Sequence, residues 1–263
     1  MISNSPKISI ITVNYNNMEG LNKTIQSVIS QSYEHIEYIV IDGGSSDGSK
    51  GIIIAQGERI AYWVSEPDAG VYNAMNKGIK AATGECLIFI NSGDTLIDKD
   101  VIKDVVLLGL TEDLVYGNLA NDGTKEAWCP PVALSFETFY KGGLPHPSTF
   151  IKRTLFEKVG LYNESNRIVS DWEFFMIAVC KYSCSYKYID RYIAQFMNDG
   201  MSSDPLNMPK ILEERSRAIR VNFPYIFAVF EENLALKAEM KKIKYFIKTR
   251  RFVKNLFGSK KKV

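Results

Sequence analysis

No run of this sequence is apolar for the roughly 18 to 20 residues that a bilayer-spanning helix needs; runs such as Cys86–Ile90 and Tyr225–Phe230 fall far short, so no transmembrane segment is expected. Cysteine is scarce, with four residues and no CxxC spacing, and only His35 and His146 could assist them in a zinc cluster. The four therefore read as reduced, with Cys86, Cys180 and Cys184 as small buried hydrophobes next to strands. Nine prolines and 18 glycines are too few for a collagenous or low-complexity chain, and 46% hydrophobic content is too high for a disordered one. Met1–Pro6 lacks a basic stretch leading into an apolar one, which predicts no cleaved secretory leader and a cytoplasmic location. Neither GxxxxGK[ST] nor GxGxxG follows any strand-like segment, so P-loop and dinucleotide sites lose most of their support. There are no internal repeats.

What the chain has in quantity is alternation. Ile8–Val13 is a β-branched run of strand length, and Leu21, Ile25, Val28 and Ile29 follow at helical spacing. Tyr38–Ile41 reads as a buried strand that stops at the turn-rich Asp42–Ser49, and Ile60–Val64 as a third strand. Val71, Ala74, Met75, Gly78, Ile79 and Ala82 form a second helical face, and Cys86–Ile90 is a fourth strand. Strands alternating with helices predict an α/β domain with a mostly parallel sheet flanked by helices. Downstream, Asp98 is expected to cap a helix through Val101, Val105 and Leu108. Leu114–Gly117, Ser148–Ile151 and Tyr186–Phe196 read as strands, and Arg153–Val159 and the segment after Ser170 as helices. Trp128–Pro147 and Gly200–Pro209 read as irregular loops.

In open α/β sheets ligands gather beyond the carboxyl ends of the strands. Here those ends carry Asn14-Tyr15-Asn16-Asn17, Asp42, Glu66-Pro67-Asp68 and Asn91-Ser92-Gly93-Asp94. Carboxylates in such a row suit a base edge, ribose hydroxyls and a divalent cation bridging a diphosphate, with oxygen ligands favouring Mg2+ or Mn2+.

The ordered series Asn14-Tyr15-Asn16, Ile41-Asp42-Gly43-Gly44-Ser45-Ser46-Asp47-Gly48, Glu66-Pro67-Asp68-x-Gly70-x-Tyr72-x-Ala74-x-Asn76-x-Gly78, Ala82-Thr83-Gly84-Glu85 and Asn91-Ser92-Gly93-Asp94 resembles glycosyltransferase family 2, inverting enzymes of the GT-A fold. The resemblance spans roughly Lys7–Ser203. It implies a GT-A domain over residues 1–205 and a helical extension over 206–263. It also implies transfer of one hexosyl or N-acetylhexosaminyl unit from a nucleotide-diphosphate sugar, a UDP-sugar in the first instance, to a hydroxyl of a glycan or lipid-linked acceptor in surface-polysaccharide assembly. Carried over by position, Thr12, Asn14 and Tyr15 line the nucleoside pocket, and Asp42 accepts from a ring N–H of the base. Asp68 lies near the ribose or phosphates; for Asn76 and Lys77 plain helix surface is the alternative to a role in the motif. Asn91–Asp94 occupies the place of the family's Asp-x-Asp motif, commonly extended to a third Asp; its first two acids are Asn91 and Gly93 here, so metal binding falls to Asp94, with Mn2+ or Mg2+ as the implied ion. Asp171, with Glu173 as its neighbouring rival, takes the place of the general base, and His146 a place near acceptor or phosphate. Gln195–Asp199 lacks the Arg and Trp of processive relatives, and Gly200–Ser203 is a candidate loop over the site. Two alternatives stay open: a catalytically lapsed nucleotide-sugar-binding protein held at the membrane, and a sugar nucleotidyltransferase.

Charge is divided unevenly. Lys237–Val263 holds eleven Lys and Arg against the single acid Glu239, so with a net charge of +2 overall the preceding residues carry −8. Leu236, Met240, Ile243 and Ile247 at helical spacing among these cations predict an interfacial amphipathic helix. Such a tail draws the enzyme to an anionic inner membrane face, with packing of a homo-oligomer as the rival use. The acidic body and the lack of a binding motif argue against nucleic acid.

Overall fold

The computed structural model describes residues 5–121, 127–197 and 200–258. The chain divides into two compact units, Met1–Glu214 and Arg215–Val263. The first is built on one eight-stranded sheet of order β3-β2-β1-β4-β7-β6-β8-β5. Its strands are β1 (Ile8–Asn14), β2 (Ile36–Asp42), β3 (Tyr62–Ser65), β4 (Cys86–Phe89), β5 (Thr95–Leu96), β6 (Leu114–Asn121), β7 (Thr149–Lys152) and β8 (Tyr186–Phe196).

β1 lies parallel to β2 and to β4, and β2 parallel to β3, so all four carboxyl ends point the same way. Beyond β4 the sheet is mixed: β7 runs antiparallel to β4 and β6, β8 parallel to β6, and β5 antiparallel to β8. Both faces of the central strands are covered. Ile8, Ile10, Tyr38, Val40 and Ile88 meet Leu21, Ile25 and Val28 of α1 (Met18–Ile29), Ile53 of α2 (Ser49–Ala55) and Val101 and Val105 of α4 (Val101–Leu108). On the other face α3 (Val71–Ala81) comes so close that a Cβ on Gly78 would stand 2.5 Å from Ile11 Cγ2, a contact only glycine allows. Burial on both faces explains why these strands read as continuous apolar runs.

This part also holds α5 (Phe136–Lys141), α6 (Arg153–Val159) and α7 (Ser170–Cys180). α8 (Met208–Asn222) crosses the boundary between the units, and α9 (Pro224–Gly258) belongs to the second. No described helix is long and apolar enough to cross a membrane.

Several local expectations change. α4 begins after Asp100, which is its N-cap; Asp98 lies two residues earlier, its Oδ1 accepting from Asp100 N (3.0 Å) and its Oδ2 pairing with Arg191 at 2.6 Å. Trp128–Pro147 contains α5, opened by a capping box between Ser135 and Thr138. Cys180 ends α7 rather than following a strand, and all four cysteines are free, with Cys129 exposed. Of the loop Asn198–Ser203, Asn198 and Asp199 lie outside the described residues.

Candidate active site

At the carboxyl end of β1 the chain turns through Asn16 (φ 47°) into the N-cap Asn17 of α1. This turn is laced to the one after β2. Asn16 N donates to Ser45 Oγ (2.7 Å), Ser46 N to Asn16 Oδ1 (2.9 Å) and Met18 N to Asp47 Oδ2 (2.8 Å). Asp42 lies at the centre, fully buried. Its Oδ1 accepts from Asn14 Nδ2 (2.7 Å) and Ser45 Oγ (2.6 Å), and its Oδ2 from Ser45 N (3.0 Å) and Ser65 Oγ (2.7 Å). Burial pushes this carboxyl up, but the hydrogen bonds from Ser45, Ser65 and Asn14 outweigh it and hold it below the ordinary value. With all four lone pairs engaged, Asp42 has none left for a base.

The acceptor that is left over belongs to Asn14. Its Nδ2 serves Asp42 and, at 3.2 Å, Ser45 Oγ, which fixes the amide's orientation, while Oδ1 is buried without a hydrogen-bond partner among the described residues. Tyr15, 68% exposed, lies over Gly43: a Cβ there would stand 2.5 Å from Asp68 Oδ2 and 3.2 Å from Tyr15 Cδ2. Asp68 is held by Gly70 N at 2.8 Å. Tyr15, Gly43 and Asp68 thus form one small cradle, whose glycine sequence reasoning missed. Thr12, by contrast, is interior, its hydroxyl donating to the Ile90 carbonyl (2.7 Å) beside Tyr38 Oη (3.1 Å); it does not line the cradle.

The segment after β4 adjoins this cradle, Ser92 N donating to the Val13 carbonyl (3.1 Å). Thr24 of α1 fixes it: the hydroxyl lies 2.7 Å from the Asp94 carbonyl and accepts from Gly93 N at 3.0 Å. Asp94 is 4% exposed and its Oδ1 accepts from Met197 N (3.2 Å), while Asn91 Oδ1 is buried with no partner among the described residues. No group of three His, Cys, Asp or Glu gathers among the described residues. Mg2+ and its like need no such cage when a substrate's phosphates supply most of the oxygens. One carboxylate and one unengaged amide oxygen, both hard donors, fit an ion of that kind.

α7 presents Asp171 in its first turn, half-buried. Tyr72 Oη lies 2.7 Å from Asp171 Oδ1 and 2.6 Å from the Ile168 carbonyl, so one proton serves two acceptors. His146 is buried, stacked on Phe89 at 4.8 Å, with Nε2 3.0 Å from Tyr162 Oη. Burial lowers the His146 pKa against the opposing pull of the Asp171 charge, so the ring is neutral. Burial and the same charge raise Tyr72 and Tyr162 well above the ordinary phenol range. Asp171 therefore stands among neutral hydrogen-bonding groups. Its rival Glu173 is buried and accepts from Asn166 Nδ2 (2.6 Å) and Asn163 Nδ2 (3.1 Å), a structural role. Asn76 is not helix surface: 2% exposed, it exchanges hydrogen bonds with the backbone of Tyr162 (2.9 and 3.0 Å) and ties α3 to the segment before α7. Lys77 pairs with Glu66 at 2.7 Å.

The model of the family described as "Glycosyl transferase family 2" matches residues 9–169. An uncharacterized glycosyltransferase of Mycobacterium tuberculosis is 35% identical over 196 residues, which are 68% of this chain and 72% of that protein. A PGL/p-HBAD biosynthesis glycosyltransferase of Mycobacterium bovis is 28% identical over 232 residues, 86% of this chain and 90% of that one. Among solved structures, S. aureus TarS 1-349 in complex with UDP-GlcNAc has a TM-score of 0.66 at 17% identity, with 82% of this chain and 67% of that one aligned. The chain spans 36% of a longer TarS structure. The mannosyltransferase PcManGT from Pyrobaculum calidifontis, in complex with GDP-Man and Mn2+, has a TM-score of 0.54 at 15% identity, covering 98% of this chain and 89% of that one. At such identities the structural likeness establishes the fold alone.

Proposed function

Because the chain belongs to glycosyl transferase family 2, we propose that it transfers a single sugar, with inversion, from a nucleotide-diphosphate sugar to a hydroxyl of a glycan or lipid-linked acceptor, as in surface-polysaccharide assembly. The observation that carries this reading is the grouping of Asp171 with its neutral partners Tyr72, His146 and Tyr162, Tyr72 standing in the first turn of the helix that follows Asp68 of the Tyr15–Gly43–Asp68 cradle. A single displacement needs one base on the acceptor side and charge stabilisation on the leaving diphosphate, and that is the division of labour here. A glycosidase would need a pair of carboxylates flanking the bond.

In this mechanism the base moiety rests against Tyr15, and its ring N–H donates to Asn14 Oδ1, which Asp42 holds in place. A uracil ring, with a donor at N3, suits that acceptor, so a UDP-sugar is favoured. Asp68 takes the ribose or phosphate side. Asp94 and Asn91 would hold Mn2+ or Mg2+, which neutralises charge on the departing diphosphate when bound. Tyr72 donates to Asp171 Oδ1 and orients the carboxylate, which removes the proton of the acceptor hydroxyl as that oxygen attacks the anomeric carbon. The cations of the C-terminal tail draw the enzyme to an anionic membrane face, where a lipid-linked acceptor would reside.

Calorimetric titration with UDP, dTDP, GDP and CMP, each with and without Mn2+, tests the donor half. Tight, metal-dependent binding of one nucleotide, UDP foremost, is expected; no binding of any would overturn it. Asp171→Asn should keep that binding and lower turnover by about 10²- to 10⁴-fold, the usual worth of a general base. Near-normal turnover would remove Asp171 from the role.

A further inference from the structure

From Ile226 to Ile247 the residues of α9 recur at alternating spacings of three and four: Ile226, Val229, Asn233, Leu236, Met240, Ile243, Ile247. Those with described side chains are exposed, Ile226 by 45%, Val229 by 59%, Leu236 by 52%, Met240 by 56% and Ile243 by 57%, and Asn233 is exposed among them. The mean spacing is the heptad period of 3.5, the signature of helices that supercoil about one another. A helix of this length presenting an uncovered apolar stripe gains its stability from what packs on that stripe.

With Ile226 at position a, the a residues are Ile226, Asn233, Met240 and Ile247, and the d residues Val229, Leu236 and Ile243. A lone Asn at a specifies two strands in register, at some cost in stability. The flanking charges identify the second strand. Glu232 and Glu239 fall at g, Lys237 and Lys244 at e. In a parallel, in-register pair each g residue faces the e residue five positions later in the other strand. Glu232 then meets Lys237 of a second copy and Glu239 meets Lys244, and the symmetry axis repeats both contacts. Antiparallel pairing would set Glu near Glu and Lys near Lys. An anionic lipid surface suits the stripe less well, since Glu232 and Glu239 border it and would be repelled.

We propose that α9 pairs with α9 of a second copy of this chain in a parallel two-stranded coiled coil over Ile226–Ile247. The assignment is independent of the transfer mechanism, and leaves the cations beyond Ile247 for a surface.

Sedimentation equilibrium of the full chain tests it. The expected mass is twice 29.7 kDa, falling to the single-chain value in the double variant Leu236→Asp, Met240→Asp with nucleotide binding unchanged. Ile243→Cys in a Cys129→Ser background should form a covalent dimer under mild oxidation, because d residues of a parallel pair come within disulfide reach and those of an antiparallel pair at this position do not. Glu232→Lys with Glu239→Lys should abolish self-pairing, and mixing that variant with Lys237→Glu, Lys244→Glu should restore a heterodimer. Three results would overturn the proposal. One is a single-chain mass up to about 100 μM, where even weak specific pairs associate. Another is a dimer that survives both Asp substitutions. The third is vesicle binding by a monomer that those substitutions abolish, which would give the stripe to lipid.

Discussion

A carboxylate has about four lone-pair positions, and Asp42 gives all of its own to Asn14, Ser45 and Ser65. Its contribution is to aim Asn14 and lock the two turns together. The sequence reveals that an acid closes β2, but whether that acid faces a ligand or the interior depends on donors from Ser45 and Ser65, the latter 23 residues away. Gly43 shows the same limit. Its need is spatial: with Asp68 Oδ2 2.5 Å and Tyr15 Cδ2 3.2 Å from a would-be Cβ, alanine must displace one of them. Gly43→Ala should weaken nucleotide binding about tenfold, roughly 1.4 kcal/mol, with thermal stability little changed, since both neighbours are surface side chains. Unaltered affinity in calorimetry would mean that Asp68 swings aside and that the cradle does not bind the nucleoside. His146 and Asp171 were readable only as separate candidates. The contact that joins them runs through Tyr162 and Tyr72, whose rings meet edge to face, the first lying outside every predicted element and the second off the apolar face read for its helix.

Among the elements, β1, β2 and β4 are legible because burial on both faces makes them unbroken apolar runs. β3 is shifted from its expected limits because it is an edge strand with Tyr62 and Trp63 partly exposed, which blurs the pattern. The two-residue β5 and the six-residue α5 are too short for any period to register, and the box that opens the second has Thr138 where the sequence signature has Glu or Gln. The parallel pairing of β6 with β8 has no local signal at all. One polar link between elements sets a measurable stability. Glu37 of β2 receives Lys7 Nζ (2.9 Å), Ser9 Oγ (2.6 Å), Thr83 N (2.7 Å) and Thr83 Oγ1 (2.6 Å), tying β1 and the turn before β4 to itself. Burial would raise its pKa, but these bonds prevail and lower it from 4.5 to about 2. A folded-state value below the unfolded one gives stability that is complete above about pH 4.5 and lost as pH falls toward about 2. By linkage that amounts to about 3 kcal/mol. Glu37→Gln should therefore lower the melting temperature at pH 7, and the gap between variant and parent should shrink on acidification. A gap that stays constant from pH 7 to pH 3 would show that the charge of Glu37 contributes nothing.

At the scale of the whole molecule, the charge asymmetry and the apolar stripe of α9 make separate contributions. The segment after Ile247 holds Lys248, Arg250, Arg251, Lys254, Lys260, Lys261 and Lys262 and no acid. At about 1 kcal/mol per basic residue near an anionic leaflet, these seven suffice for reversible attachment, and pairing of two chains would double the number presented. Such attraction decays over a Debye length, roughly 10 Å at 0.1 M salt and 3 Å at 1 M. The full chain should co-sediment with vesicles containing phosphatidylglycerol at 0.1 M salt and be released at 1 M. A chain ending at Ile247 should fail to bind them at either salt concentration. It should keep its nucleotide affinity, its turnover on a soluble acceptor and its dimer mass, because the cradle, Asp171 and the heptads all precede the cut. Binding that resists 1 M salt would instead indicate apolar insertion. If the shortened chain bound like the parent, the seven cations would have no part in attachment, and the lipid-linked acceptor would lose its physical rationale.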